Sequence, residues 1–314
     1  MQHKHILVAL ATLAALTFTT LHEASDANVT ATPRDDTTSY IKASDIVQYG
    51  QPNRLSLQSS VVAVIDERDG VMIFGRNVDR QRPIASLTKL MTALVIIDSN
   101  VPLDETIQIT RDDRDRLRGT RSRLPFGGVF TRYDLLRAAL GASDNRAAAA
   151  LGRTYPGGLP AMVQAMNLKA LELGMTQTHY ADSSGLNNKN VSTARDLLRL
   201  VAAAEKHPQF QTLTTAAGFR IADRVTLREI AFHNSSRLVR KESLDISLSK
   251  TGYTAAAGNC LLMKVTIANR PLTIVLLDSW GKLSRYADVK RIDQWLKKAE
   301  RRVPPLQTAS AATI

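Results

Sequence analysis

A serine and a lysine three residues apart, Ser86 and Lys89, form the first pattern in this sequence that could carry chemistry. Pro83 precedes them and the largely apolar segment 87–97 follows, which predicts a buried helix that begins near Ser86. Helical residues three apart share a face, so the amine and the hydroxyl would be neighbours. Burial lowers the pKa of a lysine, and a neutral amine can take the proton of a hydroxyl. Ser86 is therefore a candidate nucleophile with Lys89 as its base; a simple helix cap beside a solvent-reaching lysine is the alternative.

A second motif, Ser143-Asp144-Asn145, stands between two predicted helices, where a hydroxyl and an amide could face a cleft. Ser143 could relay a proton between Lys89 and the leaving amine of a substrate. Asn145 could hold an amide group of that substrate. Taken alone, the motif is also compatible with an ordinary helix cap.

The third motif, Lys250-Thr251-Gly252, follows a strand pattern in which apolar and polar residues alternate. Lys250 would add a second cation that lowers the pKa of Lys89 further. Thr251 could bind a carboxylate, and Gly252, which lacks a side chain, would let a substrate backbone approach the strand. An ordinary strand end is the alternative for this motif alone.

The elements that must position these motifs come from both ends of the chain. Apolar, β-branched runs predict two strands near the start and three near the end, whereas the middle has helical patterns. The short links between strands favour antiparallel pairing. We therefore expect an α/β (α+β) fold with a five-stranded antiparallel sheet, flanking helices and an inserted helical lobe. The predicted strands are 60–65, 71–74, 244–249, 259–268 and 272–278; the predicted helices are 87–97, 132–140, 145–153, 159–173, 193–204 and 286–301.

In this order, the three motifs resemble the active-site set of penicillin-binding proteins and class A β-lactamases. Segments 83–92, 180–186, 191–197 and 250–254 extend the resemblance to the D-alanyl-D-alanine carboxypeptidase/endopeptidase family of low-molecular-mass penicillin-binding proteins, over about residues 55–300. The chain is most similar to the short D-alanyl-D-alanine endopeptidases of this family. Residues 145–149 and 155–158 carry that closer resemblance.

The resemblance implies a β-lactamase/transpeptidase-like fold and a serine-type DD-peptidase that cuts D-alanyl peptide bonds in peptidoglycan. Ser86 would form an acyl-enzyme, with Lys89 as base and Ser143 as proton relay. The backbone N–H groups of Ser86 and Tyr253 would form the oxyanion hole. The expected substrate-binding residues are Asn145, Lys250, Thr251, Gly252 and Tyr253. β-Lactam antibiotics would be covalent inhibitors, and neither a metal nor another cofactor is expected.

Three other functions are alternatives to cross-link endopeptidase activity. A D-alanyl-D-alanine carboxypeptidase is the nearest, because both enzymes cut after D-alanine. A class A-like β-lactamase needs a deacylating glutamate, and none of Glu172, Glu205, Glu229 and Glu242 stands in the expected Glu-x-x-Leu-Asn context. A non-catalytic cell-wall-binding protein would need only a basic surface.

The ends and the charge of the chain bear on its location. Residues 1–27 have a basic start, an apolar stretch and small residues at the exit, which predicts a signal peptide that is removed from a periplasmic protein; a retained N-terminal anchor is the alternative. We expect a linker over 28–57, a penicillin-binding serine peptidase domain over 58–302 and a flexible tail over 303–314, with no stable membrane anchor. The net charge of +12 suits a polyanionic cell wall, and the export signal argues against nucleic acid as a partner.

Overall fold

The structure is a computed structural model that describes residues 40–304. The predicted signal peptide, the first part of the predicted linker and most of the predicted tail lie outside this range. Within it, no helix has the length and apolar character needed to cross a membrane.

Helices and strands are interspersed along residues 40–304. The first part contains α1 (Ala43–Tyr49), β1 (Ser59–Asp66), β2 (Val71–Arg76), β3 (Arg82–Pro83), a 3₁₀ turn (Ala85–Leu87) and α2 (Thr88–Asp98). The middle contains β4 (Thr106–Gln108), β5 (Val129–Thr131), α3 (Arg132–Leu140), α4 (Asn145–Arg153), α5 (Gly158–Glu172), β6 (Val191–Ser192), α6 (Ala194–Ala204) and α7 (Gln209–Thr215). The last part contains β7 (Gly218–Ala222), β8 (Glu229–His233), α8 (Arg237–Lys241), β9 (Asp245–Thr254), β10 (Gly258–Ile267), β11 (Arg270–Ser279) and α9 (Ser284–Glu300).

Five strands form the main sheet, in the order β2-β1-β11-β10-β9, and all of its pairs are antiparallel. Its centre joins the two ends of the domain, with Val62 opposite Leu276 and Val64 opposite Ile274. These residues are buried β-branched or aliphatic side chains, which suit a strand covered on both faces. The predicted fold class is confirmed.

The two faces of the sheet have separate apolar cores. On one face, α2 and the helical lobe cover side chains such as Val61 and Leu262. On the other face, α1 and α9 cover side chains such as Val62 and Leu276. Because α2 is apolar nearly all round and lies at the centre of the first core, its N-terminal residues are held firmly against the sheet.

The structure differs from the sequence predictions in several places, and the short strands β3 to β6 and helix α8 were not predicted. Helix α1 lies inside the predicted linker, with Ala43 fully buried in the second core. The short helix α7 and the β7–β8 hairpin stand where no element was predicted. The motif that begins at Lys250 lies inside β9, because this strand continues to Thr254 instead of ending at residue 249. The domain boundaries as a whole stay a prediction.

Candidate active site

The turn that carries Ser86 is held in an unusual shape at the start of α2. Ala85 has a φ of 47°, in the left-handed region that costs a non-glycine residue about 1 kcal/mol or more. The Thr88 hydroxyl donates to the Ala85 carbonyl at 2.8 Å and fixes this conformation. Gly185, on the loop before β6, packs against the same carbonyl, and a β-carbon at that position would overlap it. The turn therefore depends on a glycine from another part of the chain.

Lys89 is buried one turn after Ser86, and its exposed fraction is 1%. Its Nζ lies 2.8 Å from Ser86 Oγ, 2.7 Å from Asn145 Oδ1 and 2.6 Å from the Ser184 carbonyl oxygen. Burial lowers the pKa of Lys89 to about 8, although the more distant carboxylates of Asp182, Asp144 and Asp115 oppose the shift. All three partners of the amine are uncharged oxygens, so a neutral amine fits this site.

A second buried lysine stands beside the first. The Lys250 ammonium donates to Ser143 Oγ at 2.8 Å and to the Thr251 carbonyl at 3.0 Å. Burial is the largest cause that lowers the pKa of Lys250 well below its ordinary value, and the charges of Lys89 and Arg285 lower it further. Because two neighbouring cations repel each other and both are shielded from water, proton loss from the pair is favoured.

The loop between α3 and α4 is shaped to present Ser143 and Asn145. Ser143 has a left-handed φ of 60°. Asp144 caps α4 by accepting from the Ala147 N–H at 2.9 Å. The Asn145 side-chain amide donates to Thr120 Oγ1 at 2.8 Å while its oxygen accepts from Lys89. The amide orientation therefore follows from its two partners.

Strand β9 runs past the nucleophile. A β-carbon on Gly252 would lie 3.0 Å from the Ile84 carbonyl oxygen and 3.1 Å from the Ser86 nitrogen, so only glycine allows this approach without displacement. The Arg285 guanidinium donates to the Gly252 carbonyl at 3.0 Å and so ties α9 to the strand. The Thr251 hydroxyl donates to Ser235 Oγ at 2.8 Å. The Tyr253 side chain is 65% exposed, so its expected role is that of its backbone N–H.

The structure thus brings the sequence-predicted residues into one place. Hydrogen bonds join Ser86, Lys89 and Asn145 in one group and Ser143 and Lys250 in another. Gly252 of β9 packs against the Ser86 turn, Tyr253 is the next residue of the strand, and Thr251 faces Ser235. Their individual roles stay predictions.

Sequence reasoning assigned no role to four groups that help to build the site: the Ser184 carbonyl, the Asp182 carboxylate, Ser235 and Arg285. Asp182 accepts the N–H groups of Ser184, Gly185 and Asn187 and so shapes the loop that offers the Ser184 carbonyl to Lys89. The only sequence signal for this loop was the family resemblance of segment 180–186.

This arrangement suits nucleophilic acyl transfer. A hydroxyl within hydrogen-bond reach of a buried amine can be deprotonated when it attacks a carbonyl. The second hydroxyl, beside the second buried amine, can carry a proton to a leaving group. The structure therefore brings together groups that could serve as a nucleophile, a base and a proton relay.

Comparison with known proteins agrees with this chemistry. The sequence model of a family described as peptidase S11, D-alanyl-D-alanine carboxypeptidase, matches residues 47–280. The chain belongs to this family. A D-alanyl-D-alanine endopeptidase of Pseudomonas aeruginosa is 41% identical over 83% of this chain and 84% of its own length. The peptidase S11 chain is also 37% identical to a D-alanyl-D-alanine endopeptidase of Escherichia coli, over 81% of each chain.

Solved structures show the same fold as this peptidase S11 chain. The Streptomyces K15 DD-transpeptidase superposes with a TM-score of 0.71 over 77% of this chain and 98% of its own, at 24% identity. A penicillin-binding protein homologue of Mycobacterium tuberculosis superposes with a TM-score of 0.69 over 76% of this chain and 91% of its own, at 26% identity. The predicted family, the fold and the class of serine hydrolase are confirmed.

Proposed function

We propose that this peptidase S11 protein cleaves D-alanyl peptide bonds in peptidoglycan, with cross-links as its preferred substrate. One observation carries the proposal: the 2.8 Å contact between Ser86 Oγ and Lys89 Nζ, at an amine whose pKa burial lowers to about 8. Such an amine has a substantial neutral fraction near pH 7 to 8, where it can accept the hydroxyl proton.

In the first step, Ser86 Oγ attacks the carbonyl carbon of a D-alanine residue while its proton passes to Lys89 Nζ. The backbone N–H groups of Ser86 and Tyr253 stabilise the oxyanion that forms. The tetrahedral intermediate collapses, the C–N bond breaks, and the proton that Lys89 took from Ser86 passes through Ser143 to the leaving amine. Lys250, bonded to Ser143 at 2.8 Å, supports this relay.

In the second step, water attacks the ester carbonyl of the acyl-enzyme. Lys89 takes one proton of this water and returns it to Ser86 Oγ as the bond between the carbonyl carbon and Oγ breaks. The product carboxylic acid releases the other proton to solvent and leaves as a carboxylate. The Asn145 amide, Thr251 and the backbone at Gly252 hold the substrate along β9. A β-lactam follows the same first step and leaves a slowly hydrolysed ester, so we infer that penicillins label Ser86.

The preference for cross-links rests on the comparisons. The relatives at 41% and 37% identity are named endopeptidases, whereas a Salmonella typhimurium relative named a carboxypeptidase is 27% identical. A D-alanyl-D-alanine carboxypeptidase activity is the alternative within the same chemistry. The expected location is the periplasm, supported by the signal-peptide pattern of residues 1–27 and by a substrate that lies outside the cytoplasm.

The decisive experiment uses fluorescent penicillin and purified muropeptides. The wild-type protein should bind penicillin covalently and convert cross-linked dimers to monomers, and Ser86→Ala should do neither. Ser247→Ala is a matched control, because Ser247 is an exposed serine that also precedes a lysine by three residues. Labelling of Ser86→Ala at the wild-type rate would exclude Ser86 as the nucleophile. Release of terminal D-alanine without loss of dimers would favour the carboxypeptidase.

A further inference from the structure

A groove adjoins the active site, and most of the residues that line it have no role in the chemistry described above. It has a volume of about 960 Å³ and lies between the β9–β10 hairpin and the loop that joins β11 to α9. Tyr253 lines its near end, and Trp280 and Lys282 line the loop side. Tyr253 follows Gly252, which packs against the Ser86 turn, so the near end of the groove lies beside the turn that carries the nucleophile.

Trp280 is the most exposed large apolar side chain among the residues that the structure describes, with 82% of its surface in water. The other tryptophan of the chain, Trp295, is only 6% exposed, and its indole N–H donates to the Gly50 carbonyl at 2.8 Å. The fold therefore uses Trp295 for packing but gains little from Trp280. A large aromatic surface that stands in water beside a groove is typical of a binding contact.

The groove also has an excess of positive charge. Its one carboxylate, Asp278, pairs with Arg82 at 2.8 Å. Within residues 40–304, Lys282 makes no ion pair, and neither does Arg285, whose Nε is buried without a hydrogen-bond partner. Two cations without a balancing carboxylate favour an anionic group in the groove.

We propose that this groove binds the second peptide of a cross-link, the one that does not become attached to Ser86. An apolar part of that peptide covers Trp280, and one of its carboxylates faces Lys282. The inference rests on the proposed function and deepens it, because it gives a physical reason why cross-linked peptides would be preferred. An uncross-linked peptide has no second peptide chain that could occupy the groove.

The first test uses the fluorescence of Trp280 in a Ser86→Ala background, in which no bond is cleaved. The chain has only two tryptophans, and Trp295 is buried, so a ligand in the groove changes chiefly the Trp280 signal. A purified cross-linked dimer should shift the emission to shorter wavelength, and an uncross-linked pentapeptide should leave it unchanged. The same titration of Ser86→Ala/Trp280→Phe should show no shift. Equal shifts with both peptides, or a shift that survives Trp280→Phe, would overturn the inference.

The second test compares substrates with the active enzyme. Trp280→Ala/Lys282→Gln should lower kcat/KM at least tenfold on the cross-linked dimer. The rates of penicillin labelling and of pentapeptide cleavage should stay within twofold of wild type, which also shows that the variant is folded. The matched control, Leu168→Ala/Lys298→Gln, removes an exposed apolar side chain on α5 and an exposed lysine in the last turn of α9, at the end of that helix away from the groove, and should leave every rate unchanged.

Equal losses on both substrates, or no loss on either, would overturn the role of the groove. A different result would contradict the proposed function: the wild-type enzyme would bind penicillin but leave the cross-linked dimer intact. Even then, the fluorescence titration reports whether the groove binds the cross-linked peptide.

Discussion

On the α9 face of the sheet, buried charges lie in pairs. Arg270, only 2% exposed, contacts the fully buried Asp66 and also Glu300, and buried Asp288 accepts from Arg291 at 2.7 Å. On the lobe face, Lys89 and Lys250 are equally buried, yet their amines contact only hydroxyl, amide and carbonyl oxygens. A paired charge keeps its proton state and holds the fold together, whereas an unpaired buried amine gives up its proton easily. The partners, and not the burial, distinguish charges that hold the fold, which the lobe also has in Arg132 and Glu105, from the two amines proposed to act in the chemistry.

The largest expected effect comes from removing the ability of Lys89 to lose a proton. Lys89→Arg keeps a cation in the site, but a guanidinium stays protonated at every accessible pH. Because a general base contributes about 10²–10⁴ in rate, penicillin labelling should slow by about 10³-fold. The labelling rate is measured by stopped-flow or gel fluorescence, and thermal unfolding confirms that the variant is folded. A folded variant that labels at the wild-type rate would show that Lys89 is not the base.

A smaller effect, on stability and not on the labelling rate, is expected when a buried charge pair on the α9 face is broken. Arg270→Leu leaves Asp66 buried without its partner, so the free energy of unfolding should fall by about 3–5 kcal/mol. Urea denaturation measures the loss, and labelling per folded molecule should stay within twofold. The double variant Arg270→Leu/Asp66→Leu should recover part of the stability, because no uncompensated charge remains. A double variant that is less stable than Arg270→Leu would contradict this account of the pair.

The smallest effect is a pH dependence of the labelling rate. We expect it from Lys89 on the lobe face and not from the charge pairs on the α9 face. With the pKa of Lys89 lowered to about 8, the amine is protonated and inactive below that pH and becomes a base above it. The labelling rate should therefore rise about tenfold from pH 6 to pH 7 and level off above pH 8. The Arg270→Leu/Asp66→Leu variant should give the same profile. A rate that is flat between pH 6 and pH 8 would show that proton loss from Lys89 does not limit acylation.

Much of this architecture could be predicted from local patterns. The β-branched run of β1 and the apolar α2 place Ser86 and Lys89 correctly, because a few consecutive residues are enough to indicate each element. Helix α1 could not be found in this way. It has seven residues, and its stability comes from burial of Ala43 and Ile46 against distant elements instead of from its own sequence.

The candidate site shows the same limit. Side-chain motifs identified Ser143, Asn145 and Lys250, but Ser184 contributes a backbone carbonyl, a group that every residue has. Likewise, Thr251 meets Ser235 only because β9 passes the segment between β8 and α8, which no spacing in the sequence reveals. Contacts that the tertiary fold creates between ordinary residues need the structure.

The pairing of β1 with β11 has a consequence for the newly made chain. Ser59 and Ser279 are 220 positions apart, yet their hydroxyls meet at 2.6 Å, so the sheet closes only after nearly all of the domain has left the ribosome. Lys250 arrives equally late, so a chain that stops before residue 250 lacks the second buried amine and its contact with Ser143. We therefore expect a half-synthesised chain to be inactive, with hydrolytic activity only after β11 has paired with β1.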